Sequence, residues 1–146
     1  MIKIISGERR GTNIQTLEGN DTRPLRGRVR ESLFNIIRPQ ISGALVWDLF
    51  AGSGGVGLEA LSEGAESAVF IEPARGALKV IHANIEKLRY KDRTTVIEGK
   101  SPQSIKLIPG EKICPDIVFI MPPYYSGLGK DVLEYVDKNN FEFKED

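Results

Sequence analysis

Val46-Trp47-Asp48-Leu49-Phe50-Ala51-Gly52-Ser53-Gly54-Gly55-Val56-Gly57 is the stretch from which the rest of the chain is read. It holds an apolar run, then a turn dense in glycine, then the first apolar positions of a helix. Gly52, Gly54, Gly55 and Gly57 crowd this turn. Without a Cβ, the backbone there can come close to a ligand. The helix that follows aims its unpaired N–H groups and positive dipole end at the same place. A second apolar run, Ala68-Val69-Phe70-Ile71, ends in Glu72. Strand, glycine turn, helix, strand and acid, in that order, form the layout in which a carboxylate holds a ribose diol. The ligand implied is a cofactor that carries a nucleoside. The competing reading of the glycines is an ordinary tight loop.

Upstream of this unit, residues 1–16 read as a β-hairpin. Ile2, Ile4 and Ile14 alternate with polar neighbours, and Gly7 and Gly11 bracket the charged turn Glu8-Arg9-Arg10. Arg9 and Arg10 are either a solvated loop or a phosphate contact. Next comes a turn-rich segment with Arg23, Arg26, Arg28 and Arg30 in close succession. Arginine forks onto phosphate and stacks on bases, so the segment is a candidate RNA contact. The spacing of Val29, Leu33, Ile36 and Ile37 predicts a helix that Pro39 ends. Arg28 and Arg30 point to different sides of it, so at most one should face a cofactor cleft. Arg38, in the last turn, is expected to compensate the helix dipole.

Downstream, strands are predicted over 44–49, 67–71, 94–97 and 116–121. Helices are predicted over 55–62, 73–88 and near 130–136, with a short amphipathic piece at 102–107. Pro73 suits a first helical turn. The run over 116–121 is nearly all apolar, as a strand covered on both faces should be. Strands alternating with helices predict a parallel sheet with right-handed crossovers. Ligands then sit beyond the carboxyl ends of the strands. The glycine turn, Glu72, the loop after Glu98 and Pro122-Pro123-Tyr124 all fall at that edge.

Composition narrows the classes. A chain of 146 residues reads as one domain. Its formal net charge is zero, so overall charge offers no argument for nucleic acid. No apolar run is long enough to span a membrane, and Met1-Ile2-Lys3-Ile4-Ile5 lacks a signal-peptide layout. The single cysteine, Cys114, permits no internal disulfide and fits a reducing, cytoplasmic setting. It is expected as a half-buried thiol at a strand entrance. His82 lies in a helical pattern with no cysteine or second histidine near it, so no metal site is expected.

The run Asp48-Leu49-Phe50-Ala51-Gly52-Ser53-Gly54 resembles the first motif of S-adenosylmethionine-dependent methyltransferases more than a nicotinamide site. Nearly the whole chain is similar to the bacterial methyltransferases that modify the exocyclic N2 of a guanine in small-subunit (16S) ribosomal RNA. The similarity is carried by Ile4-Ile5-Ser6-Gly7, Asn20-Asp21-Thr22-Arg23-Pro24 and Arg28-Val29-Arg30-Glu31-Ser32-Leu33-Phe34-Asn35. It continues through the glycine turn, Gly57-Leu58-Glu59-Ala60-Leu61 and Pro122-Pro123-Tyr124. The resemblance implies an α/β, Rossmann-like methyltransferase fold with an N-terminal β-hairpin and a parallel sheet lacking the C-terminal strands. It implies one domain over 1–146, divided into the hairpin (1–17), the Arg-rich loop and helix (18–40) and the cofactor-binding core (41–146). The cofactor would be S-adenosyl-L-methionine, leaving S-adenosyl-L-homocysteine. Its contacts would come from Asp48, Phe50, Ala51, Gly52, Ser53, Gly54, Glu72, Lys100 and Ser101. Ribosomal RNA or a small-subunit particle would meet Arg9, Arg10, Arg23, Arg26, Arg28 and Arg30.

In such enzymes a further motif reads Asp-Pro-Pro-Tyr or Asn-Pro-Pro-Tyr. Its first side chain and the next proline carbonyl accept hydrogen bonds from the target amine, and its tyrosine stacks on the extruded base. Here the positions are Met121, Pro122, Pro123 and Tyr124, and methionine is a weak acceptor. The family also places an Asp near the adenine amino group, where Lys100 stands in this chain. The family sheet has the order 3-2-1-4-5-7-6, and this chain stops before the fifth strand. Strand four would then be an apolar edge that invites a second copy or a partner chain. The alternative functions are a weakened relative that binds RNA or cofactor without efficient transfer, and a nicotinamide oxidoreductase, in which Pro122-Pro123-Tyr124 would have no role.

Overall fold

A computed structural model describes residues 1–17, 27–122 and 126–138 of the chain. It opens with the expected hairpin. β1 (Ile2–Lys3) pairs antiparallel with β2 (Asn13–Ile14), with Ile2 opposite Ile14. Ile4 and Ile14 are fully buried, so the apolar alternation does point one face inward. The turn docks on the second helix of the chain. There the Glu8 N–H donates to the Ser62 carbonyl, and the Ser62 hydroxyl donates to the Ser6 carbonyl.

The first helix departs from expectation twice. α1 (Gly27–Ile41) runs through Pro39 instead of ending there. A proline so near the end of a helix forfeits little of its hydrogen bonding, and the buried Ile41 holds the last turn in the core. The inward stripe is Arg30, Phe34 and Ile41, flanked by the half-buried Leu33 and Ile37. Val29 and Ile36, expected inside, are 53% and 75% exposed. Phe34 meets Phe119 with ring centroids 6.0 Å apart, and Arg30 is drawn in beside Glu59. Those contacts fix the roll of the helix. Arg38, expected to serve the helix dipole, instead pairs with Glu63 at 2.8 Å and donates to the Asn35 side chain.

The sheet is the predicted one. β3 (Leu45–Asp48), β4 (Ser67–Glu72), β5 (Thr94–Glu98) and β6 (Ile117–Phe119) lie parallel in the order β5-β4-β3-β6. α2 (Gly55–Ser62) links β3 to β4, and α3 (Arg75–Leu88) links β4 to β5. Pro73 stands just before the Ala74 cap of α3 and not in its first turn. The amphipathic piece is a short 3-10 turn over Gln103–Leu107. α4 (Leu128–Lys138) follows β6. β6 is shorter than the run 116–121, and Ile117 and Val118 are only half-buried, because no strand among the described residues covers its outer side.

Successive strand residues alternate between two cores. Val46 and Phe70 face Leu58, Leu61, Ile81, Ile85 and the hairpin. Trp47, Val69 and Ile71 face Ile105, Ile108 and Val132. After β5 the chain therefore crosses from one face to the other and enters β6 on the far side of β3. That reversal makes a topological switch point between β3 and β6, the place where open α/β sheets bind ligands. No helix among the described residues is long and apolar enough to cross a membrane.

Candidate active site

The glycine turn leaves β3 at the switch point. Gly52 and Gly54 both take positive φ, at 56° and 84°, which a side chain would resist. A Cβ on Gly52 would have no protein atom within 4 Å, so this part of the turn borders open space. Backbone bonds lock the turn to its neighbours. The Ala51 N–H donates to the Ile71 carbonyl at 3.1 Å, and the Leu49 N–H donates to Phe119 at 3.2 Å.

Glu72 is tied directly to the turn. Its Oε1 accepts the Gly52 N–H at 2.9 Å and its Oε2 accepts the Ala74 N–H at 2.8 Å. Each carboxylate oxygen has a second lone pair. The acid is therefore held in place and can still accept from a diol.

Asp48 ends β3 and is almost fully buried. It accepts the backbone N–H groups of Gly57 and Phe50. It thereby serves a donor in the first turn of α2, whose own cap, Gly54, has no side chain to offer. Its Oδ2 is buried without a partner. Burial, opposed by those two hydrogen bonds and reinforced by Glu72, pushes the carboxyl up to about 7.

The remaining cofactor positions divide. Ser101 is buried, and its hydroxyl donates to the Leu49 carbonyl at 2.6 Å. Ala51 and Ser53 are buried, and Phe50 is half-buried. Lys100 is exposed, and its carbonyl accepts the Ser104 N–H. Met121 and Pro122 follow β6 and are half-buried, with Met121 packed against the core that holds Phe119. Pro123 and Tyr124 lie outside the described residues.

The six arginines do not form one surface. Arg28 is exposed on the first turn of α1. Arg30, two residues on, is only 3% exposed, which corrects its assignment as an RNA contact. The guanidinium is turned inward to the Lys3 carbonyl and Glu59. Arg9 lies where α2 and α3 end, at the opposite edge of the sheet from the glycine turn. Its Nε donates to the Leu88 carbonyl at 3.0 Å, and its guanidinium stacks 5.2 Å from the Tyr90 ring. That half-buried side chain braces the fold. Arg10 is exposed in the same hairpin turn. Arg23 and Arg26 lie outside the described residues.

Two residues escaped the sequence reading. Asn84 is buried on α3 and donates to the carbonyls of Gln15 and Ser53, each at 3.0 Å. It stitches the hairpin to the glycine turn. Glu59, buried on α2, accepts the N–H groups of Ile5 at 2.8 Å and Ser6 at 3.1 Å. Each is a polar residue in an otherwise apolar inward stripe, and that was the available signal. Cys114 is half-buried, as expected. His82 is exposed, and the described residues hold no group of potential metal ligands.

With this geometry in place, comparison with known proteins is direct. Residues 2–144 match the family described as conserved hypothetical protein 95. The chain belongs to this family. It is 33% identical over 140 residues to the ribosomal RNA small subunit methyltransferase D of Escherichia coli K12, covering 96% of this chain and 69% of that one. It is 30% identical to the protein of the same name from Haemophilus influenzae, covering 96% and 72%. A solved Escherichia coli structure, provisionally described as the methyltransferase yhhF, superposes with a TM-score of 0.81 at 31% identity, covering 99% of this chain and 75% of that one.

The fold is thus the Rossmann-like methyltransferase fold, and S-adenosyl-L-methionine is the cofactor. The residues present fit it. The open side of Gly52 leaves room for a close backbone approach, Glu72 has acceptor capacity for the ribose, and the orphaned Asp48 Oδ2 would gain a donor from the cofactor's ammonium group.

Proposed function

We propose that this chain methylates the exocyclic N2 of a guanine in small-subunit ribosomal RNA. The observation that carries the reading is a convergence at one switch point. The glycine turn and Glu72 stand at the ends of β3 and β4, and Met121-Pro122 opens the Pro-Pro-Tyr motif just past the neighbouring end of β6. The names of the two methyltransferase D relatives agree with a ribosomal RNA substrate. When bound, the cofactor supplies an electrophilic methyl group on a sulfonium. The chain's task is to bind it and to aim an amine lone pair at it. The Pro122 carbonyl accepts from the target amine, and Tyr124 stacks on the extruded base. Arg28, exposed at the start of α1, offers a phosphate contact.

Met121 favours a second reading, a slow relative. Its side chain packs against the core and supplies no strong acceptor. The same proposal has the chain act in the cytoplasm as one domain, with the β6 edge covered by a second copy or a partner. Only monomer in sedimentation at micromolar concentration would count against that last part.

The test is transfer of labelled methyl groups to small-subunit particles that lack the modification, followed by nucleoside analysis. Label on the N2 of a guanine is expected. A protein that binds S-adenosylhomocysteine in calorimetry yet leaves the particles unlabelled would overturn the proposal in favour of the inactive relative.

A further inference from the structure

Arg30 is a buried charge that its own chain leaves half-satisfied. The side chain is 3% exposed. Its Nη2 donates to the Lys3 carbonyl. Its Nε lies 3.5 Å from Glu59 Oε1 and makes no hydrogen bond. The carboxylate of Glu59 is occupied elsewhere, by the N–H groups of Ile5 and Ser6 and by the Ser6 hydroxyl. Burial pulls the Arg30 pKa down and pushes that of Glu59 up, although each opposes the other's shift. The two charges therefore do not repay each other's loss of water. A guanidinium presents five N–H donors in a planar fork that matches a carboxylate. Most of that fork is without an anion among the described residues.

The location indicates which anion completes it. α1 lies alongside α2. Arg38 meets Glu63 just past the far end of α2, and Arg30 meets Gly55 at its start. A Cβ on Gly55 would sit 3.7 Å from Arg30 Nη1 and 3.9 Å from Ser53 Oγ. The fork therefore borders the glycine turn, where the helix N-terminus also favours negative charge. The cofactor's ribose falls to Glu72 and its ammonium to Asp48. Its one anionic group is the carboxylate of the methionine part.

We infer that Arg30 is a cofactor-binding residue whose guanidinium takes the α-carboxylate of S-adenosylmethionine at the start of α2. The inference rests on the identity of the methyl donor and not on which nucleotide is methylated. It explains why a charge from the arginine-rich segment is turned into the protein, away from solvent and RNA. The neighbouring Arg28 stays outside.

The experiment compares S-adenosylhomocysteine with its decarboxylated counterpart by calorimetry, in the wild type, Arg30→Gln and Arg30→Lys. The wild type should prefer the carboxylate-bearing ligand by roughly 10- to 100-fold. Arg30→Gln should shrink that preference to within about threefold while binding the decarboxylated ligand as the wild type does. Arg30→Lys, which keeps the charge and loses the fork, should fall between. A preference that survives in Arg30→Gln overturns the inference, as does a wild type that binds the two ligands alike. If Arg30→Gln does not fold, a crystal of the wild type with S-adenosylhomocysteine decides. A carboxylate on the Arg30 guanidinium supports the inference, and a carboxylate held elsewhere overturns it. A wild type that binds neither ligand overturns the cofactor assignment as well, which separates the two failures.

Discussion

Two side chains set the expected rate and pH behaviour. In the proposed reaction, Met121 takes the position of the acid or amide that would accept from the target amine. A hydrogen bond to a charged acceptor contributes about 1.5–3 kcal/mol, so Met121→Asp should raise single-turnover methyl transfer by roughly 10- to 150-fold. An unchanged rate in a variant with unchanged S-adenosylhomocysteine affinity would show that position 121 is not limiting. Asp48 titrates near 3.8 when unfolded and at about 7 when folded. Between those values the folded chain keeps a proton that the unfolded chain has released. Its contribution to stability is therefore full below the lower value and is lost as pH rises through the upper one. Each unit of displacement corresponds to about 1.4 kcal/mol, so denaturant midpoints should fall as pH rises across that window. Asp48→Asn should flatten the slope. An equal slope in the variant would assign the pH dependence to other groups.

Elements dock through contacts too tight or too polar to be altered freely. Gly57 lets α2 lie against β4, since a Cβ there would come within 2.4 Å of the Phe70 ring. Gly57→Ala should cost about 1–3 kcal/mol through overpacking, read as a lowered melting temperature. A melting temperature equal to the wild type's would mean that Phe70 moves aside freely. The hairpin is held by Glu59, which serves Ile5, Ser6 and Arg30 together. Glu59→Gln removes the buried carboxylate that accepts from Ile5 and Ser6 and lies beside the Arg30 guanidinium, and should cost about 3–5 kcal/mol. Faster hydrogen exchange at the Ile5 and Ser6 amides would mark the loosened hairpin, and unchanged exchange would show that the hairpin is held by other contacts. These two sites also show where periodicity misleads. The apolar spacing of α1 suggested Val29 and Ile36 as inward positions, yet Phe34 and the buried Arg30 set its roll.

At the scale of the molecule, the cofactor should tie the hairpin, α1 and the sheet edge into one cooperative unit. S-adenosylhomocysteine at a hundred times its dissociation constant should stabilise the fold by about 2.7 kcal/mol, seen as a rise in melting temperature. No shift at that concentration would mean that the ligand binds folded and unfolded chains alike. The sequence by itself determined a parallel sheet of four strands, the glycine turn and the placing of Glu72 beside it, while the strand order was implied by the family resemblance. Those features follow from local rules: side-chain period, glycine's missing Cβ and the handedness of parallel crossovers. Tertiary structure alone decided what the arginines do. Arg9 braces Tyr90 at the far edge, Arg30 enters the core beside Gly55, and Arg28 stays in solvent. Nothing in a run of charged residues says which of them will find a buried carboxylate or carbonyl. That depends on partners such as Glu59 and Leu88, which lie distant in the chain and meet those arginines only when the hairpin and helices close on the sheet.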